Sequence, residues 1–293
     1  MSRITASVVL YKTSAAQLHR LYECLSRSTQ RPDLHIIDNS PEPTPLPFEM
    51  APWITYVHLE TNLGYGAGHN IALRRILGSS ELHFVLNPDV FFGSGELEKM
   101  ITFMLQHPDV GQLMPKVIYP DGSLQYLCKL LPTPADLFLR RFMVWPYRRL
   151  AQQQIERFEL RFSGYNREMD VPYLSGCFMV FRTSVLQQIG LFDERFFMYP
   201  EDIDITRRVN ARFRTLFFPG ATIVHDHGRE SYKNTRALWV HMMNLVKYFN
   251  KWGWFHDPAR SKVNRETLLQ FHAALDEAGP ENTVTSAKFP RIY

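Results

Sequence analysis

Two hydrophobic periods alternate through the first third of this chain, and that alternation constrains its fold more than any other feature. "ITASVVLY", "LHIID", "WITYVHL" and "LHFVL" are short apolar runs rich in β-branched residues, each ended by polar residues. Between them lie segments of helical spacing. Thr13 or Ser14 caps a helix carrying Leu18, Leu21, Tyr22 and Leu25. "NLGYGAGHNIALRRIL" opens on glycines and then becomes helical. Strands alternating with helices imply parallel pairing, because a parallel neighbour needs a crossover long enough to hold a helix. The expected class is α/β, a mostly parallel sheet with helices on its faces.

Later segments are more varied. Prolines at 41, 43, 45, 47 and 52 make a rigid surface loop. "GQLMPKVIYPDGSLQYLCK" reads as strand, Asp-Gly turn, strand. "YLSGCFMVFR" is strand-like, and "TSVLQQIG" is a short helix with a Thr cap and a Gly stop. "RTLFFPGATIVHDHG" reads as strand, Pro-Gly turn, strand. Residues 234 to about 275 read as helical and the end as a loose tail.

Composition excludes several classes. Charge is +4 from 33 basic and 29 acidic residues, too mild to argue for nucleic acid. Cys24, Cys128 and Cys177 show neither metal spacing nor a disulfide framework, which suits a reducing cytoplasm. The N-terminal stretch has no signal-peptide pattern, and no run is long and apolar enough for a spanning helix.

The chemistry sits where strands end. In open parallel sheets, ligands bind at the carboxyl ends of strands. "FVLNPD" puts Asn87, Pro88 and Asp89 there, and Pro88 stops the ladder. Asp89 can hold a divalent cation, or simply cap a turn amide. Asp38 ends "HIID" and can accept from a pyrimidine N–H or form a turn. Gly64, Gly66 and Gly68 precede a helix start and permit close backbone approach to a ligand. Glu201, Asp202 and Asp204 crowd another helix start, where the dipole favours acids; they are also general-base candidates. His225 and His227 fall on one side of "VHDHG" and could share a metal.

In order, "SVVLYKTSAAQLHRLYECL", "HIIDNS", "NLGYGAGHNIAL", "FVLNPDV", "LMPKVIYPDGSLQ", "YLSGCFMVFRTSVLQQIGLFDERFFMYPEDIDITRRV" and "IVHDHGRES" span residues 7 to 231. This set resembles the family 2 glycosyltransferases, in particular the rhamnosyltransferase-like branch of bacterial polysaccharide synthesis. The resemblance implies a GT-A fold: a Rossmann-like, mostly parallel mixed sheet flanked by helices, with C-terminal helices. It implies a catalytic domain over residues 1–233, with a nucleotide-binding half at 1–120 and an acceptor half at 121–233. A helical segment at 234–276 and a tail at 277–293 follow.

The resemblance also assigns roles. Tyr11, Asp38, Asn39, Gly64, Gly66, Asn70, Asn87 and Asp89 would bind the nucleotide, with Asp38 on the base. Asp89 and His225 would hold Mg²⁺ or Mn²⁺. Asn87 stands where many members have Asp, and is a poorer cation ligand. Asp202 would be the catalytic base, with Glu201 and Asp204 next in line. Ser175, Gly176, Cys177 and His227 would lie by donor sugar and acceptor. The implied reaction is inverting transfer of a sugar, most simply L-rhamnose from dTDP-rhamnose, to a hydroxyl of a glycan or polyprenyl-diphosphate-linked acceptor. A UDP-hexose donor, a non-catalytic sugar-nucleotide-binding relative and a metal-dependent hydrolase are the competing readings.

"LFLRRFMVWPYRRL", residues 137 to 150, mixes Arg140, Arg141, Arg148 and Arg149 with Phe138, Phe142, Trp145 and Tyr147. Such a mixture suits a membrane interface, with Lys247, Trp252 and Trp254 as further contacts, or a core-packed face with solvated arginines. The expected location is the cytoplasm, peripheral on the inner face of the membrane.

Overall fold

A computed structural model of the chain describes residues 3–136, 148–226 and 235–277. Most of residues 137 to 150, together with His227 and the tail from 278, lie outside the described residues.

The first four strands, β1 (Ile4–Leu10), β2 (Asp33–Asp38), β3 (Ile54–His58) and β4 (Leu82–Leu86), pair in parallel in the order β3-β2-β1-β4. Helix α1 (Ala15–Ser26) crosses from β1 to β2. Ser14 Oγ accepts from the Gln17 amide while Gln17 Oε1 accepts from the Ser14 amide, a reciprocal cap that starts the helix. Leu18, Leu21 and Leu25 are fully buried, each worth about 1.5–3 kcal/mol of burial. Tyr22 stacks on Phe48 at 4.2 Å and Trp53 at 5.6 Å, which fastens the proline-rich loop to the same helix.

Beyond β4 the sheet becomes mixed. Strand β5 (Val90–Phe92) lies at the far edge; α3 (Glu96–Gln106) and β6 (Val110–Ile118) follow it. Strand β10 (Phe178–Arg182) is inserted antiparallel between β4 and β6, and β11 (Arg214–His225) runs parallel to β6. Helix α2 (Tyr65–Ile76) covers the first half, and α4 (Arg148–Phe158) belongs to the second.

Four local expectations are corrected. Pro219–Gly220 is not a hairpin turn: both flanking segments stay parallel to β6, and the register shifts between Phe218 and Thr222. The dipeptide bulges out of one long strand because β6 offers a continuous edge on both sides of it. After Asp121–Gly122 the chain does turn, but only an Ile118–Leu124 bridge closes it. Cys128–Lys129 (β7) instead pairs with Tyr173–Leu174 (β9). "YLSGCFMVFR" is two strands, β9 and β10, broken at Ser175–Cys177. Thr183 opens helix α5 (Thr183–Ile189) without capping it, since its hydroxyl donates to the Ser80 carbonyl across the sheet end. Gly190 ends that helix with φ at 81°, as read from the sequence.

The C-terminal helices α7 (Thr235–Trp252) and α8 (Pro258–Glu277) break at Gly253, whose φ is 101°. They dock on the sheet's second half. Tyr248 and Phe249 join Leu131, Phe196 and Ile203, while Leu268 and Phe271 join Met114 and Phe217. Strand β8 (Met169–Asp170) pairs with β11 on that side. Helix α6 (Pro200–Asn210) is clamped to them: Arg207 donates to both Asp257 oxygens at 2.7 and 2.8 Å and lies 4.0 Å over the Trp252 ring.

Candidate active site

Leu10, Asp38 and Leu86 end three neighbouring parallel strands at one rim of the sheet. The residues after them meet at a crevice of the kind that binds ligands in open α/β sheets. Asp38 is fully buried. One oxygen accepts from the Ser40 amide at 2.9 Å, the other from the Thr44 amide at 2.6 Å and the Tyr56 hydroxyl at 2.7 Å. Burial alone would raise its carboxyl, but these hydrogen bonds outweigh it and hold the group below the usual range. Asp38 thus organises the turn after β2. Asn39 donates to the Gly64 carbonyl at 3.0 Å and keeps a buried Oδ1 without a partner among the described residues. Tyr11 is exposed at the rim.

The glycines of "NLGYGAGHN" approach protein rather than open space. A Cβ on Gly66 would sit 2.9 Å from Phe192 Cβ, and one on Gly68 would sit 2.8 Å from Val9. Gly64 has φ at 91° and presses on the Phe197 carbonyl. Asn70 is likewise spent inside the protein: it accepts from the Phe192 amide and donates to the Phe192 carbonyl and to Glu194. Both ends of its amide thereby clamp the 192–194 loop.

Beyond β4, Asp89 Oδ1 lies 3.3 Å from His225 Nε2, and Asn87 Nδ2 lies 3.4 Å from the same nitrogen. That oxygen of Asp89 is buried and, among the described residues, has no polar partner beyond the imidazole it faces, so it suits a cation sharing that ring. Among the described residues no cluster of three or more His, Cys, Asp or Glu forms, so a cation held here would draw its remaining ligands from substrate or water. Burial disfavours the His225 cation, yet Cys177 and Asp89 beside it raise its proton affinity above the ordinary value.

The break between β9 and β10 joins this corner to the acidic helix. The Cys177 carbonyl accepts from the Asn87 amide at 3.0 Å. The Gly176 amide donates to Asp202 Oδ2 at 3.0 Å, and its carbonyl accepts from the Tyr65 hydroxyl at 2.6 Å. Ser175 is half-buried at the same break. Burial, then Cys177, Glu201, Asp202 and Asp89, push the Tyr65 hydroxyl well up, so all four lie within its electrostatic reach.

Helix α6 starts abruptly. Tyr199 has φ at 89°, uncommon for a residue with a side chain and worth about 1–3 kcal/mol of strain, and Pro200 follows at the first helical position. Burial raises both Glu201 and Asp202 above the ordinary carboxylate range, Glu201 further because Asp202 lies beside it. Glu201 Oε2 has no hydrogen-bond partner among the described residues. Asp202 is steadied by the Gly176 amide, the charge of Lys129 and the Ile203 amide.

Asp204 points away. It is completely buried and accepts from Arg208 Nε at 2.8 Å, Trp252 Nε1 at 2.8 Å and Lys251 Nζ at 2.6 Å. It is a structural tie between α6 and α7, since two residues along a helix turn a side chain to the opposite face. Tyr65, Lys129 and Gln125 were not singled out by sequence reasoning. Tyr65 hides among glycines, and the other two lie in a segment read only for its strands and turn.

A mixed sheet thus carries a carboxylate–imidazole pair at its rim, with a buried, raised carboxylate on the facing helix. The chain belongs to the glycosyltransferase like family 2, whose model matches residues 50–241. It is 26% identical over 292 residues to an N-acetylglucosaminyl-diphospho-decaprenol L-rhamnosyltransferase of Mycobacterium tuberculosis, covering 93% of each chain. It is also 26% identical to the low-salt glycan biosynthesis hexosyltransferase Agl10 of Haloferax volcanii, over 69% of this chain and 59% of that one. Among solved structures, the mannosyltransferase PcManGT from Pyrobaculum calidifontis, in complex with GDP-Man and Mn²⁺, superposes with a TM-score of 0.54 at 15% identity, over 96% of this chain and 76% of that one. GalNAc-T7 with UDP, GalNAc and Mn²⁺ gives 0.53 at 11% identity, over 77% of this chain and 44% of that one. These structural likenesses show the GT-A fold.

Proposed function

We propose that this protein is an inverting glycosyltransferase that moves a sugar, L-rhamnose from dTDP-rhamnose, to a hydroxyl of a lipid-linked glycan. The observation that carries the reading is the Ser175–Cys177 break, which bonds Asn87 on one side and Asp202 on the other. The donor sugar follows the rhamnosyltransferase relative, as does the acceptor on a polyprenyl diphosphate.

In this reading residues 1–120 cradle the nucleotide, with Tyr11 at its rim and the Asp38 turn beneath it. Residues 121–233 face the acceptor, and the C-terminal helices brace α6. Asp89 and His225 fit a divalent cation, Mg²⁺ or Mn²⁺, which when bound neutralises charge growing on the departing diphosphate. Asp202 takes the proton of the acceptor hydroxyl as its oxygen bonds to the anomeric carbon, while the carbon–diphosphate bond breaks on the opposite face. Its raised proton affinity suits that work, because a base poised nearer neutrality accepts a proton more readily. Gly176 and Lys129 keep it aimed and ionised. No helix among the described residues is long and apolar enough to cross a membrane, so work on such an acceptor would be done from the membrane surface.

The test is incubation with a panel of sugar nucleotides and a lipid-linked acceptor, with and without Mn²⁺. Transfer from dTDP-rhamnose with inverted anomeric configuration supports the proposal, and transfer from UDP-hexose alone replaces the donor. Asp202→Asn should keep donor binding and lose about 10²–10⁴-fold in kcat. If that variant turns over at the wild-type rate, Asp202 is not the base.

A further inference from the structure

Gln125 is a buried glutamine, 4% exposed, just past the turn that follows β6. Its side-chain nitrogen donates to the His225 carbonyl at 2.7 Å and the Ile118 carbonyl at 3.3 Å. Two carbonyl partners leave the amide only one orientation. The oxygen is then the acceptor, and it faces His225 Nδ1 at 3.0 Å. Nδ1 therefore carries a proton in either protonation state of the ring, and Nε2, the nitrogen 3.3 Å from Asp89, is the one free to give up its proton to a cation.

We infer that Gln125 is a positioning residue: it fixes the ring orientation and tautomer of His225 so that Nε2 is presented, with Asp89, to a divalent cation. This rests on the cation-site reading above. A glutamine needed only to fill space would be satisfied by the two carbonyls. Here its remaining atom is committed to the ring nitrogen facing away from Asp89, and the backbone bond to His225 holds the strand end as well. A bare ring could rotate about its bond to Cβ and offer either nitrogen. The clamp removes that freedom before any cation arrives, as partners of metal-bound histidines do elsewhere.

The probe is Mn²⁺ in the presence of dTDP, and separately UDP, with free aquo-Mn²⁺ read by electron paramagnetic resonance. Wild type, Gln125→Met, Gln125→Asn, Gln125→Glu and His225→Ala are compared, with thermal midpoints measured alongside. Gln125→Met should weaken Mn²⁺ binding about 10–100-fold, the usual effect of losing such a partner. Gln125→Asn, which withdraws the amide, should do the same and serves if Gln125→Met does not fold. Gln125→Glu retains an acceptor for Nδ1 and should recover most of the affinity. In a His225→Ala background, Gln125→Met should add nothing. If His225→Ala weakens Mn²⁺ while folded Gln125 variants bind as wild type does, the inference is overturned and the cation site stands. If His225→Ala itself binds as wild type, the cation-site reading fails and the inference falls with it.

Discussion

Gly64→Ala separates the fold's demand for glycine at this position from any demand of a ligand. Gly64 has φ at 91° and ψ at −179°, a region essentially closed to residues with a Cβ. An added Cβ would also overlap the Phe197 carbonyl and come within 2.9 Å of the Phe197 ring. The backbone contributes about 1–3 kcal/mol of cost and the overpacking about as much again, so a loss of about 2–6 kcal/mol is expected. That is a large part of the roughly 5–15 kcal/mol that holds such a domain together. The overlap also pushes on the Phe197 carbonyl, which accepts from the Tyr65 amide at 3.0 Å and lies five residues before Asp202. Activity should therefore fall further than stability alone accounts for at a temperature where the variant stays folded. Urea unfolding of Gly64→Ala beside Gly93→Ala measures the first part. Gly93 has nothing within 4 Å of an added Cβ, so its variant should stay within about 0.5 kcal/mol of wild type. If the two variants unfold at the same urea concentration, the reasoning about Gly64 is wrong.

Glu201→Gln tests the buried acid pair. A carboxyl whose folded-state proton affinity is raised costs stability that grows as pH climbs from the unfolded value through the shifted one. The variant should thus gain on wild type in thermal midpoint at pH 8, and the gain should shrink as pH falls toward about 4, below the unfolded value, where both states bind the proton; a pH-independent difference refutes this. Asp204→Ala strands the charges of Arg208 and Lys251 and the Trp252 donor, so it should cost about 3–5 kcal/mol in denaturant unfolding, and a neutral result would deny its role as a tie. The acid limb of kcat/KM should lie above the ordinary aspartate range, since Asp202 must be ionised to accept a proton; a profile flat down to about pH 4.5 would sink that assignment.

Strand ends were the legible part of the site, and the reason is geometric. Strands covered on both faces read as unbroken apolar runs, so "HIID" and "HFVLNPD" announce where the sheet stops and polar side chains gather. The start of α6 was equally plain from Pro200 and the acids behind it. What each polar residue does at such an end was not legible, because it depends on partners far along the chain. Asn70 is consumed by a loop at Phe192 and Glu194, and Asp38 by Thr44 and Tyr56. Gln125 reaches His225 across 100 residues, with no local pattern to mark it.

Some of this was recoverable without coordinates. At 100° per residue, Asp202 and Asp204 lie about 200° apart on one helix, so they could never have shared a pocket, and one of them had to face the body of the protein. Arg208, four residues after Asp204, marks which one that is, being its natural partner on the same face. Pro219–Gly220 is the opposite case. The dipeptide is a strong local turn signal, yet it is overruled by two flanking apolar runs that both find the same neighbour in the same direction. Local chemistry can ask the chain to reverse there. A twelve-residue strand with β6 along its length prevents it, and His225 at the end of that strand is thereby delivered to the same rim as Asp89.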